Sequence, residues 1–207
     1  MNDYGLTVML VLAYLIGATP TSYLAGKLGR GIDLREHGSK NLGATNVYRV
    51  LGWAYAVPVA LIDIAKGAVP VAILGPWSNG PGWFTVALGL AAVLGHMYSP
   101  YVRFKGGKGV ATAAGMFLAL APLAILISIP IWAATLWISG FVSVASLTVA
   151  VLFPLWVWIT AHPPGQTYTV WASVVLALLI IYAHRANIRR LREGTESRFR
   201  TRKGVAT

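Results

Sequence analysis

Three short polar segments interrupt an otherwise apolar chain, and their residue types suit the handling of oxyanions. The first runs Glu36-His37-Gly38-Ser39-Lys40-Asn41-Leu42-Gly43-Ala44-Thr45-Asn46-Val47-Tyr48-Arg49. The second is Gly95-His96-Met97-Tyr98-Ser99-Pro100, leading to Phe104-Lys105-Gly106-Gly107-Lys108-Gly109-Val110-Ala111-Thr112. The third is His184-Arg185-Ala186-Asn187-Ile188-Arg189-Arg190-Leu191. Glycine lets backbone N–H groups approach an oxyanion, and loops leading into helix N-termini form anion sites. Lys108 and Arg49 each stand at the head of an expected helix, beside a positive dipole end. Two such places facing one pocket imply one or two ligands carrying phosphate. Singly, each segment reads equally well as a membrane loop; three together, each mixing Asn, Ser, His and Gly with cations, favour a site.

What is missing narrows the chemistry. Gly-Gly-Lys-Gly resembles a nucleotide-binding P-loop only superficially, because Val102 and Gly109 stand where Gly and Ser/Thr are needed. The chain has six acids and no Asp-x-x-x-Asp cluster, which leaves a metal-dependent phosphotransferase without ligands. The aspartate-rich pattern of CDP-alcohol phosphotransferases is absent. In the H-x-x-x-x-D dyad of common glycerolipid acyltransferases, the aspartate position is filled by Leu42, Tyr101, Thr167 or Arg189. Without cysteine there is no thiolate nucleophile and no disulfide. No metal and no cofactor are expected.

The elements that position these segments lie in lipid. Of 207 residues, 57% are hydrophobic and 11% charged, against roughly 25% charged in soluble domains. The mean hydropathy is +0.66. Apolar stretches fall at about 6–24, 50–74, 83–98, 110–121, 123–138, 144–159 and 168–183, with a turn expected at Ala121-Pro122 because proline suits a helix's first turn. The expectation is an all-α polytopic bundle of about seven transmembrane helices. It forms one domain over 1–207, with a basic tail from about 189.

The net charge of +11 tests this layout. Sixteen of the 17 Lys and Arg fall on one side if seven helices cross, in the first loop, the Arg103–Lys108 segment and the tail. By the positive-inside rule that side is cytoplasmic, with the N-terminus outside. The charge is thus explained by topology, and no nucleic-acid partner is expected. Met1-Asn2-Asp3-Tyr4 carries no basic run, so no cleaved signal peptide is expected. Asp63 and Lys66, three apart on the second helix, share a face as a neutralising brace or as functional groups. Ser143 and Ser146 suit interhelical bonding as well as ligand contact. His162 and His37 are given no role.

These segments resemble the bacterial acyl-phosphate:glycerol-3-phosphate acyltransferases, which are integral-membrane enzymes. The matches are Gly38-Ser39-x-Asn41-x-Gly43-Ala44-Thr45-Asn46-Val47-x-Arg49, Gly95-His96, Phe104 through Thr112, and His184-Arg185-x-Asn187-Ile188-x-Arg190-Leu191 with Gly194 and Glu196. Asp63-x-x-Lys66-Gly67 is also similar, and Lys40 departs from a common Gly. The resemblance implies transfer of a fatty acyl group from acyl phosphate to the 1-hydroxyl of sn-glycerol 3-phosphate. The products are lysophosphatidate and phosphate, in the first acylation of phospholipid synthesis. It implies catalytic roles for Ser39, Lys108, His184 and Asn187. Substrate contacts are implied for Arg49, Asn41, Gly43, Asn46, Gly106, Gly107, Ser143 and Ser146. A monomer in the cell (cytoplasmic) membrane, surrounded by lipid and with its site facing the cytoplasm, is expected. An organic-phosphate exchanger is the alternative.

Overall fold

A chain in hydrocarbon must satisfy its backbone polar groups within itself, and helices do so segment by segment. The computed structural model describes residues 3–160 and 167–199, and every regular element among them is helical. His162 and the tail cations Arg200, Arg202 and Lys203 lie outside the described residues.

The order is α1 (Asp3–Ala18), α2 (Thr21–Arg30), α3 (Ala44–Leu51), α4 (Trp53–Val69), α5 (Gly75–Ser78), α6 (Gly82–Met97), α7 (Val110–Leu120), α8 (Pro122–Ser139), α9 (Val142–Thr160), α10 (Thr167–Ala183) and α11 (Arg185–Arg192). A π-helical turn, Pro70–Leu74, links α4 to α5. Five stretches are long and apolar enough to cross a membrane: Asp3–Arg30, Trp53–Ser78, Gly82–Val102, Pro122–Ser139 and Val142–Thr160. A sixth is α10 with α11, bent by 53°. The remaining expected span is α7, whose 11 residues reach only about 16 Å at 1.5 Å per residue.

Two boundaries differ from the expectation. The first apolar helix continues past Leu24 to Arg30, through a break at Thr19-Pro20. The helix expected from Val50 begins at Trp53, because Gly52 at φ 88° ends α3. Arg49 therefore sits in the last turn of α3 and not at the N-terminus of α4, so it lacks the dipole argument made for it. Lys108 does precede its helix, with Gly109 at the N-cap of α7.

Small residues bring the helix backbones together, as they do in membrane bundles. On the α1–α6 seam a Cβ at Gly17 would lie 2.0 Å from the Ala92 carbonyl oxygen. The α4–α7 seam is reciprocal: a Cβ at Gly67 would meet the Thr112 carbonyl and one at Gly115 the Ile64 carbonyl, both within 2 Å. The main apolar core joins α6, α7, α9 and α10 around Val93, Met116, Phe117, Val157 and Leu176. A second core, with Leu34, Leu42, Val47, Leu51 and Val102, sits beneath the first polar loop and fixes it on the bundle.

Candidate active site

The first polar loop is shaped by one buried amide. Asn46, 1% exposed, donates from Nδ2 to the carbonyls of Leu34 and His37, both at 3.1 Å. Its Oδ1 accepts the Ser39 N–H at 2.7 Å. Three main-chain groups are thereby satisfied by one side chain, which places Ser39 while leaving the amide committed to the loop. His37 is exposed.

Opposite this loop, Lys108 donates from Nζ to Asn187 Oδ1. Asn187 in turn donates to Glu196 Oε1 at 2.6 Å, and the Ser143 hydroxyl donates to the same oxygen at 2.8 Å. Arg190 Nε pairs with Glu196 Oε2 at 2.7 Å. The segment after α11 then crosses towards α3, where Arg49 Nη2 donates to the Ser197 carbonyl at 3.1 Å. Phe199 packs against Tyr48, with ring centres 5.0 Å apart, and its N–H donates to the Gly140 carbonyl at 2.8 Å.

A cavity of about 580 Å³ lies between these groups. Ser39, Asn41, Gly43, Asn46, Arg49, Lys108, Ser143, Ser146, His184 and Asn187 all line it. Ser39 and Asn187, 148 positions apart in the sequence, therefore meet at one place. Gly106 and Gly107 do not line it. They press against the end of α6, where a Cβ at Gly107 would come 2.2 Å from His96 Nε2 and one at Gly106 2.0 Å from the His96 carbonyl. A second, apolar pocket of about 220 Å³ opens between α7, α8, α9 and α10. It shares Val110, Trp132 and Ser146 with the first.

Burial sets the electrostatics. It pushes the Lys108 ammonium down to about 8, a fall that Glu196 opposes and that Arg190 and Arg49 reinforce. Burial likewise lowers the Arg49 guanidinium from its ordinary value. Among the described residues Arg49 Nε is buried with no hydrogen-bond partner, which leaves this cation a donor for a ligand. His184, at the joint after α10, is buried. Its Nδ1 contacts the Ile180 carbonyl at 2.8 Å. A carbonyl only accepts, so Nδ1 carries the proton and Nε2 the lone pair. Burial would raise the Glu196 carboxyl, but hydrogen bonds from Asn187, Arg190 and Ser143 outweigh it and hold it below its usual value. Glu196 and Arg190 are the components that motif reasoning left out of the site. Their signal is present in the sequence, since both stand in the third motif's match.

The sequence matches the glycerol-3-phosphate acyltransferase family model over residues 7–194. The glycerol-3-phosphate acyltransferase of Chlorobium luteolum is 41% identical over 93% of this chain and 96% of its own length. That of Fusobacterium nucleatum is 43% identical over 92% and 96%. Among solved structures, the glycerol 3-phosphate form of PlsY (YgiH), an integral-membrane glycerol 3-phosphate acyltransferase, superposes with a TM-score of 0.88 at 40% identity, covering 95% of this chain and 96% of that one. Its lysophosphatidic acid form gives 0.84 at 38% identity, covering 93% and 94%. Of the two readings left open by the motifs, acyl transfer is therefore the one that holds: the chain belongs to the glycerol-3-phosphate acyltransferase family and is a multi-pass membrane acyltransferase.

Proposed function

We propose that the enzyme takes its acyl group from an acyl phosphate and delivers it to the 1-hydroxyl of sn-glycerol 3-phosphate. The observation that carries this reading is the junction of two cavities of opposite character. One is polar, with Arg49 and Lys108 placed for phosphate groups. The other is apolar and suits an acyl chain. Val110, Trp132 and Ser146 stand between them, where an acyl carbonyl would lie.

The step needs no enzyme-bound intermediate. The glycerol 1-hydroxyl oxygen attacks the acyl carbonyl carbon, a C–O bond forms, and the acyl–phosphate C–O bond breaks. Inorganic phosphate departs and the hydroxyl proton passes to a phosphate oxygen. With a second pKa near 6, a phosphate monoester is a competent base at neutral pH, whereas His184 is buried in the cavity that also holds the Lys108 cation. His184 then serves by offering Nε2 as a hydrogen-bond acceptor. Lys108, Arg49 and Ser39 hold phosphate, and Asn187 and Asn41 orient hydroxyl or carbonyl oxygens. Asn46 acts through Ser39, and Ser143 acts through Glu196. Gly106 and Gly107 shape the approach to Lys108.

The same reading places seven helices across the cell membrane of a monomer, with the N-terminus outside and the cavity facing the cytoplasm. The cavity is bounded by the segments that carry nearly all the Lys and Arg, which supports this orientation. The test is purified protein with palmitoyl phosphate or palmitoyl-CoA and glycerol 3-phosphate. Phosphate release and lysophosphatidate formation with the acyl phosphate alone are expected. Equal turnover with palmitoyl-CoA, or an acylated protein residue trapped with labelled donor, would overturn the donor and the direct attack respectively.

A further inference from the structure

Lys66 is a lysine in the apolar stretch Trp53–Ser78, 5% exposed, and is not among the residues that line the polar cavity. Its three protons find three acceptors on three elements. Asp63 Oδ1 of α4 lies at 2.7 Å. The Thr19 carbonyl, at the break between α1 and α2, lies at 2.8 Å. His96 Nδ1, near the end of α6, lies at 3.2 Å. Asp63 Oδ1 also accepts the Thr21 hydroxyl at 2.5 Å. Since an ammonium only donates, the lone pair of His96 is on Nδ1 and its ring proton on Nε2.

From His96 the connection runs into the glycine loop. The His96 carbonyl accepts the Gly107 N–H at 3.1 Å, and the Met97 carbonyl accepts that of Gly106 at 3.0 Å. The imidazole edge lies so close to Gly107 that no Cβ would fit between them. Lys108 is the next residue. Asp63 and His96 themselves form part of the inner wall of the cavity that Lys108 enters.

We infer that Lys66, with Asp63 and His96, is a positioning residue for Lys108. The ammonium fixes His96, and His96 fixes the loop from which the phosphate-binding lysine projects. A bracing pair elsewhere in the bundle would serve stability equally well. This one is anchored to the residue beside the reactive cation. The inference rests on the reading that Lys108 binds phosphate.

The test separates positioning from bracing. Besides Asn187, the described groups whose charge acts on Lys108 are Arg49 of α3, His184, Arg190 of α11 and Glu196, all unchanged in the variants below. Of Asp63 and His96, which line the same cavity, the double variant changes Asp63 together with Lys66, so that the pair's opposite charges leave together. Lys66→Met removes the tethers but strands the Asp63 charge, so Asp63→Asn/Lys66→Met is the companion that leaves no unpaired ion. In folded protein, each should lose roughly 10- to 100-fold in kcat/KM, the effect of about an ångström of misplacement. The alkaline limb of kcat/KM should also move up towards the ordinary lysine range, because a slack loop lets water reach Lys108. Lost activity with an unmoved limb, near-wild-type kcat/KM, or failure of both variants to fold would each overturn the inference. Lys108→Gln in the wild-type background checks the underlying reading: if it keeps activity, Lys108 is not the phosphate ligand, whatever the Lys66 variants do.

Discussion

The polar cavity and the apolar pocket are neighbours with a common wall, yet they are built from different parts of the chain. The charged side of the polar one is made of loops and helix ends, with Ser39, Arg49, Lys108 and Glu196, while Ala56, Ala60 and Ile64 of α4 and Leu136 of α8 line the rest. There side chains at loops and helix ends can present donors such as Arg49 Nε, which has no partner among the described residues. The apolar one is made of helix faces, with Ala113, Ala114, Ala150 and Ala177 leaving space between α7, α9 and α10. On the proposed function, charge placed at a loop binds a phosphate and volume left out of a helix packing accepts a chain. The two tasks are therefore separable by mutation.

The largest effects should come from the cations of the polar side. Lys108→Ala or Arg49→Ala removes a charge-assisted hydrogen bond, about 1.5–3 kcal/mol or some 10- to 150-fold in kcat/KM. The proteins should stay folded in detergent, and the ratio of kcat/KM between long and short acyl phosphates should not change. A changed ratio would mean that the two cavities do not act separately. Ala150→Phe is the converse substitution. Ala150 is buried at the apolar pocket's wall, and a ring there should disfavour a long acyl phosphate against a short one by about tenfold, the scale of hydrophobic-pocket discrimination. The KM for glycerol 3-phosphate should hold, and an unaltered chain-length profile would take the acyl chain out of this pocket.

A smaller effect probes the balance of charge at the polar side. The proposed role of Lys108 needs the cation, so wild-type kcat/KM should fall as pH rises through about 8. Bound phosphate favours the cation, so the limb in kcat should lie higher. Glu196 raises the Lys108 value through its charge. Glu196→Gln should therefore move the alkaline limb of kcat/KM to lower pH, the opposite direction from the Lys66 variants. A limb that stays in place would show that another group sets it.

How much of this was legible in the sequence follows the same division. The polar loops stood out because Gly, Asn, Ser and cations are rare in the surrounding composition, and Ser39, Arg49, Lys108 and Asn187 do line one cavity. The apolar pocket left no mark: its alanines, isoleucines and phenylalanines read like any lipid-facing or packing residue. Glycine was ambiguous in kind. The signal in Gly106-Gly107 is the same whether glycine exposes N–H groups to an anion or lets α6 come close, and here it does the second. Arg49 was placed at a helix start because nothing in an apolar run announces that Gly52 adopts φ 88° and divides α3 from α4.

The smallest effect expected concerns Lys40, beside the polar cavity and absent from its lining. Its φ is 61°, in the left-handed region, and its side chain is exposed. For a residue with a Cβ this conformation costs about 1–2 kcal/mol. Glycine removes that strain but loses about 0.5–1 kcal/mol more in backbone entropy on folding. Lys40→Gly should therefore stabilise the protein by roughly 0.5–1 kcal/mol, or about 2 °C in Tm for a chain of this size. Ser39, held by Asn46 from the other side, should stay where it is, and kcat/KM should change less than threefold at moderate salt, where an exposed charge is screened. A lower Tm would show that the Lys40 side chain contributes more to the loop than its backbone strain costs. A large loss of activity would bring Lys40 into the polar site.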